Sequence, residues 1–211
     1  MAGPGMPRMT QKRARMALGA VCLVAGMALP HVLGAALSQS ALPMVMNVLI
    51  LVASYAVAAL GLNIIVGYCG LLNLGFGGFM LIGAYTAAIL MKEHAWGFWT
   101  AAPAAAAHAA LWGIILGIPT LRLTGDYFAI VTFGFSELVV MVAQNWSAVT
   151  RGTRGYPGVP RPVLDLPGTR LDYVFSLDSK IAYWYLAAGL LAVCMVVSSR
   201  LSRSRLGRAW R

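Results

Sequence analysis

The feature that most constrains this chain is a series of long apolar blocks with almost no charge inside them. They fall at residues 16–37, 42–66, 71–91, 98–121, 127–146 and 181–199. About 20 apolar residues in a helix cross the ~30 Å hydrocarbon core of a bilayer. The blocks are continuous rather than striped at the periods of one-sided soluble helices or strands. The expected fold is therefore all-α, a polytopic transmembrane bundle of about six spans. Composition excludes the soluble alternative. Only 10% of the 211 residues are charged and 60% are hydrophobic, against about 25% charged in soluble domains. So few charges cannot clothe a water-facing surface.

The net charge of +10 does not mark a nucleic-acid binder, because the basic residues form no face. Arg8, Lys12, Arg13 and Arg15 precede the first block, and Arg200, Arg203, Arg205, Arg208 and Arg211 follow the last. Lys and Arg flanking spans mark the cytoplasmic side, and they also meet anionic membrane lipid. The expected layout is a basic cytoplasmic segment at 1–15, a transmembrane domain at 16–199 and a basic cytoplasmic tail at 200–211. Arg122 then falls inside, while Lys92 and the loop at 147–180 fall outside. That loop holds five basic and three acidic residues, which opposes the rule, but the terminal clusters are denser and nearer their spans. Trp96, Trp99, Trp146 and Trp184 stand where interfacial tryptophans are expected. The first block exceeds the roughly 7–15 residues of a signal-peptide core, so it reads as an uncleaved span.

Cys22, Cys69 and Cys194 are odd in number and show neither metal-ligand spacing nor a disulfide framework. They read as small packing residues. No Ser/His/Asp or Cys/His set, metal cluster, nucleotide loop or cofactor motif is present. The chain is expected to be no enzyme, with no catalytic residue, no metal and no cofactor.

Two stretches stand out. The first runs from Gly61 to Tyr85 and is rich in glycine. Small residues let membrane helices approach closely, and glycine permits turns and unwinding. Its glycines serve either plain packing or a pathway lined by Asn63, Gly67, Gly70, Asn73, Gly75 and Gly78. The second is Glu137, a carboxylate halfway along the fifth block. Ionisable groups at such depth usually face a bundle interior or a cavity. Glu137 is either a pathway group or a buried structural one, with His108 as its candidate partner. Arg122, Gly125 and Asp126 form a polar hinge at the cytoplasmic face. Asp126 suits the positive end of a helix dipole and Arg122 is its candidate partner.

Gly61-Leu-Asn-Ile-Ile-Val-Gly-Tyr-Cys-Gly-Leu-Leu-Asn-Leu-Gly75, followed by Gly83-Ala-Tyr85, resembles the permease signature of branched-chain amino acid ABC importers. Thr120-Leu-Arg-Leu-Thr-Gly-Asp-Tyr-Phe-Ala-Ile-Val-Thr-Phe-Gly-Phe-Ser-Glu137 resembles the second hallmark of that family. Asn145-Trp146 and Thr150-Arg-Gly-Thr-Arg-Gly-Tyr-Pro-Gly158 resemble its following external loop. The resemblance covers about residues 53–211.

This likeness implies a permease subunit in a bacterial inner membrane. Two cytoplasmic ATPase subunits, a second permease subunit and a periplasmic substrate-binding protein would be its partners. The glycine-rich unit and fifth helix would line the path, and the loop at 147–180 would face the binding protein. Substrates in the family include leucine, isoleucine and valine, with relatives handling other small polar solutes. Phe76 and Gly77 depart from the more polar or alanine-type pair of many relatives, which leaves the substrate open. Ser204–Arg211 resembles the lead-in to the cytoplasmic coupling helix, and family members continue well past it. The likeness thus implies a chain truncated at its C-terminus, as a fragment or a shortened gene product. The competing reading is an ion-coupled secondary carrier or channel that uses Glu137.

Overall fold

The computed structural model describes residues 41–120, 122–123, 126–164, 173–174, 180–204 and 207, together with Gly26, Pro30 and His31. The N-terminal basic cluster, most of the first apolar block, Gly125 and the arginines at 205, 208 and 211 lie outside the described residues.

Within them the chain is helical. Helix α1 spans Leu42–Asn63 and continues into a π-helical turn at Ile64–Tyr68. Helix α2 spans Phe76–Glu93, α3 Phe98–Thr120 and α4 Asp126–Asn145. A short α5 at Ser147–Thr150 and a 3-10 turn at Gly152–Arg154 follow. Strands β1 (Val163–Leu164) and β2 (Tyr173–Val174) pair antiparallel in the register Val163↔Val174. Helix α6 spans Lys180–Arg203. Among the described residues, four stretches are long and apolar enough to cross a membrane: Leu42–Tyr68, Phe98–Thr120, Asp126–Asn145 and Lys180–Ser202. Helix α2 is shorter, because the third apolar block enters its helix at Phe76 rather than at residue 71.

Local chemistry accounts for the ends of these helices. Pro119 cannot donate an amide hydrogen bond, and α3 stops one residue later at Thr120. The Thr120 hydroxyl turns back to donate to Leu116 O at 2.7 Å. Asp126 opens α4, where a carboxylate meets the positive end of the helix dipole.

The chain divides into two compact units, Met1–Val57 with Ser176–Val197 and Ala58–Phe175 with Ser198–Arg211. In the first, Trp184 Nε1 donates to Gly26 O at 2.9 Å and the Tyr185 hydroxyl lies 2.9 Å from His31 Nε2. In the second, α2 packs along both α3 and α4. The alanine run of α3 gives it a smooth flank, with Ala101 and Ala105 buried. Phe135 of α4 ties the three helices together, stacking at 5.1 Å from Phe79 of α2 and 6.4 Å from Trp112 of α3.

The rest of the helical surface is apolar and open. Met44 on α1 is 74% exposed, Ile118 on α3 67% and Tyr127 on α4 71%. Soluble monomers rarely expose such surface over whole helices, whereas lipid covers it at no cost. The chain is a multi-pass, all-α membrane protein.

Candidate functional site

Between Tyr68 and Phe76 the chain leaves the helix inside its apolar stretch. Gly70 takes a left-handed φ of +67°, and residues 70–75 run without helical bonding. In hydrocarbon, irregular backbone is tolerated only where protein or a water-lined cavity satisfies it. Here the satisfaction is specific. Leu74 N–H donates to Thr132 Oγ1 of α4 at 3.2 Å. Gly75 N–H donates to Asn73 Oδ1 at 2.8 Å, a local side-chain bond of the kind that competes with helix formation. Thr132 Oγ1 donates onward to Ala129 O at 3.0 Å. Leu71 N–H reaches back to Ile65 O at 3.3 Å. These bonds explain why the helix waits until Phe76.

Close backbone contact fixes the same place. A Cβ on Gly75 would collide with the Thr132 carbonyl, and one on Gly78 would lie 3.0 Å from Ser136 Cα. Helix α2 therefore meets α4 backbone to backbone, as small residues allow in membranes.

Beside this contact lies a cavity of about 400 Å³, lined by Asn73, Phe76, Phe79, Thr120, Phe128 and Thr132 among others. Its walls are largely aromatic and aliphatic. Asn73 is only 7% exposed. Because its Oδ1 accepts from Gly75 N–H, its amide orientation is fixed, and Nδ2 has no hydrogen-bond partner among the described residues. Asn73 thus brings an amide to the wall of a largely apolar chamber. The hydroxyls of Thr120 and Thr132 already donate to helix carbonyls.

The residues singled out in the sequence fall in different places. Gly75 and Gly78 make the contact just described, Asn73 lines the cavity beside it, and Gly70 makes the turn that leads into it. Asn63 and Gly67 instead face each other across the π-helical turn, where a Cβ on Gly67 would run into Asn63 Oδ1. Neither lines the cavity. Glu137 is exposed, among Ile130, Phe133, Leu138 and Met141 on the open side of α4. It sits five residues beyond Thr132, about 140° around the helix at 3.6 residues per turn, and does not line the cavity.

His108 is not the partner of Glu137. Trp112 Nε1 donates to His108 Nε2 at 3.1 Å, and His108 Nδ1 lies 2.7 Å from the Thr86 hydroxyl. Thr86 is placed to donate to Ile82 O at 2.7 Å. That chain of donors assigns the neutral Nδ1–H tautomer and cross-links α2 to α3. His108 lines a second, apolar cavity of about 380 Å³. At the hinge, Arg122 and Asp126 are both exposed, and no ion pair joins them among the described residues. Gly125 lies outside the described residues.

Residues not anticipated from the sequence are Thr132, Glu93 and Tyr156. Threonine is ordinary in an apolar helix, so nothing in its position advertised Thr132. At the far end of α2, the Tyr156 hydroxyl donates to Glu93 Oε1 at 2.6 Å, and Arg151 Nη2 lies 3.4 Å from the same oxygen. The Tyr156 bond holds the Glu93 carboxyl below the usual carboxylate range. Partial desolvation opposes this, and the charges of Arg151 and Lys92 add to it. The same bond raises the Tyr156 phenol.

Comparison with known proteins places these features. The model of the family described as "Branched-chain amino acid transport system / permease component" matches residues 44–211. The high-affinity branched-chain amino acid transport system permease protein LivM of Escherichia coli (strain K12) is 42% identical over 171 residues, covering 74% of this chain and 40% of the relative. Its counterpart in Salmonella typhimurium is 41% identical over the same shares. The chain thus spans about 40% of the length of the curated relatives it matches. No solved structure matches it. With its family model covering both glycine-rich unit and fifth apolar block, the chain belongs to the family of branched-chain amino acid transport permease components.

Proposed function

We propose that the chain is the membrane-spanning permease subunit of an ATP-driven ABC importer in a bacterial inner membrane. It moves branched-chain amino acids or related small polar solutes. The observation that carries this reading is the interrupted helix at residues 70–75 beside a largely apolar cavity lined by Asn73. Discontinuous helices near the membrane midplane are a common way to build solute sites. An apolar chamber suits an aliphatic side chain, and the Asn73 Nδ2 donor suits a carboxylate.

Glu137 supports a shared path. A carboxylate on an apolar helix face is costly against lipid, so that face belongs against protein or water. A second permease subunit beside α4 would meet the need. Cytoplasmic ATPase subunits would act at the end carrying Arg122, Gly125 and Asp126, and a periplasmic substrate-binding protein at the loop of 147–180.

The test is uptake of labelled leucine, isoleucine and valine by the full-length permease in proteoliposomes, with and without its ATPase. Uptake that needs ATP and the ATPase is expected. Uptake by the permease alone would overturn the reading. The exposed carboxylate also favours a second reading, an ion-coupled carrier. On that reading Glu137→Gln abolishes gradient-driven uptake, whereas the importer reading expects no gradient-driven uptake in either protein.

A further inference from the structure

Helix α2 is a single 18-residue element, about 27 Å long at 1.5 Å per residue. Its start forms the Gly75–Thr132 and Gly78–Ser136 contacts beside the cavity. Its last turn holds Lys92 and Glu93. There, Tyr156 donates to Glu93, and Lys92 Nζ and Arg151 Cζ each lie 5.1 Å from the Tyr156 ring centroid. Lys92 Nζ also donates to Pro157 O.

The same loop is rooted on α4. Thr150 Oγ1 donates to Ala143 O at 2.6 Å, and the Arg151 N–H donates to Ser147 O at 3.1 Å. Gly152 sits so close to Gln144 that a Cβ would lie 2.9 Å from its carbonyl oxygen. Residues 150–157 therefore tie the last turn of α2 to the last turn of α4. The two helices that meet at Gly75 and Thr132 are joined again at their other ends. Such a closed loop of contacts through a rigid helix links the spacing at one end to the spacing at the other.

We propose that Tyr156 is a positioning residue for the Asn73 cavity, acting through Glu93 and the length of α2 to hold the Leu74–Gly75 segment against α4. Its consequence for transport rests on the reading of that cavity as the solute path. The positioning itself is measured on the chain alone. Tyr156→Phe removes the hydroxyl and keeps the ring beside its two cations. Glu93→Gln keeps an acceptor and removes the charge. Trp99→Phe is the control, because Trp99 Nε1 ties the loop to α3 instead, through Val163 O at 3.1 Å.

The experiment is amide hydrogen exchange in lipid nanodiscs. Tyr156→Phe is expected to speed exchange at Leu74 and Gly75 roughly threefold, the order of one solvent-exposed hydrogen bond to a charged group. Glu93→Gln should act in the same direction with a smaller effect, and Trp99→Phe should leave these two amides unchanged. Faster exchange confined to residues 151–158 would overturn the proposal. So would a uniform rise across α3, which marks general destabilisation. Failure of ATP-dependent uptake would leave this result standing, and the reverse holds equally.

Discussion

At its first turn α2 meets α4 with backbone against backbone, whereas at its last turn it meets the loop through charges and an aromatic ring. The first contact tolerates no extra atom, because Gly75 lies against the Thr132 carbonyl. Its hydrogen bonds are neutral and short-ranged. The second gathers Glu93, Arg151, Lys92 and Tyr156, with Glu93 and Arg151 about half exposed. Close packing and neutral bonds suit a place without water. Exposed ion pairs are weak and screened by salt, so the clamp holds position by combining one ion pair with the Tyr156 hydrogen bond and two cation–ring contacts. One helix is thus fixed rigidly where the solute path is proposed and adjustably where a partner is proposed to dock.

Substitutions separate the two contacts. The largest effect is expected at the tight end. Gly75→Ala drives a methyl into the Thr132 carbonyl and should cost about 2 kcal/mol, within the range for overpacking. It is read as a lowered thermal unfolding midpoint in detergent. Gly70→Ala meets no neighbouring atom but must hold φ at +67°, so it should cost about 1 kcal/mol through backbone strain alone. If the two substitutions are equal, tight packing at Gly75 is not what fixes the break. Thr132→Val removes the acceptor for Leu74 N–H and should cost about 1–2 kcal/mol, and Thr132→Ser should restore most of it.

The adjustable end should move least. Tyr156→Phe should lower the midpoint by less than any of these, and by less still in high salt. Acid gives the sign of the Glu93 contribution. Its folded-state value is depressed from 4.5, so the stabilisation is present above that value and is lost as pH falls through the folded one. The difference between native and Tyr156→Phe proteins should hold from about pH 7 to about pH 5 and shrink only in stronger acid. A difference that vanishes above pH 5 would show that the carboxylate does not hold the clamp.

Much of the architecture was legible because membrane thickness is written directly into block length. The apolar runs predicted helices at 98–121 and 127–146, and α3 and α4 occupy Phe98–Thr120 and Asp126–Asn145. The glycine-rich unit pointed to close helix approach, found at Gly75 and Gly78, since close approach needs residues without side chains. Hydropathy could not reveal that 71–75 stays out of the helix. That depends on Thr132, 58 residues away from Leu74, and no local pattern encodes it. The pairing of Glu137 with His108 failed for a related reason. Position along each helix was readable, but the direction around it was not. Glu93, Arg151 and Tyr156 looked like loop residues because they come together only through folding.

The decisive measurement is ATP-driven uptake of leucine by the full-length transporter carrying Asn73→Asp. Aspartate keeps an oxygen to accept from Gly75 N–H and exchanges the amide donor for an anion. Uptake should fall at least about tenfold, the weight of one lost hydrogen bond of about 1.4 kcal/mol. Undiminished uptake by that protein would contradict a solute path beside Asn73.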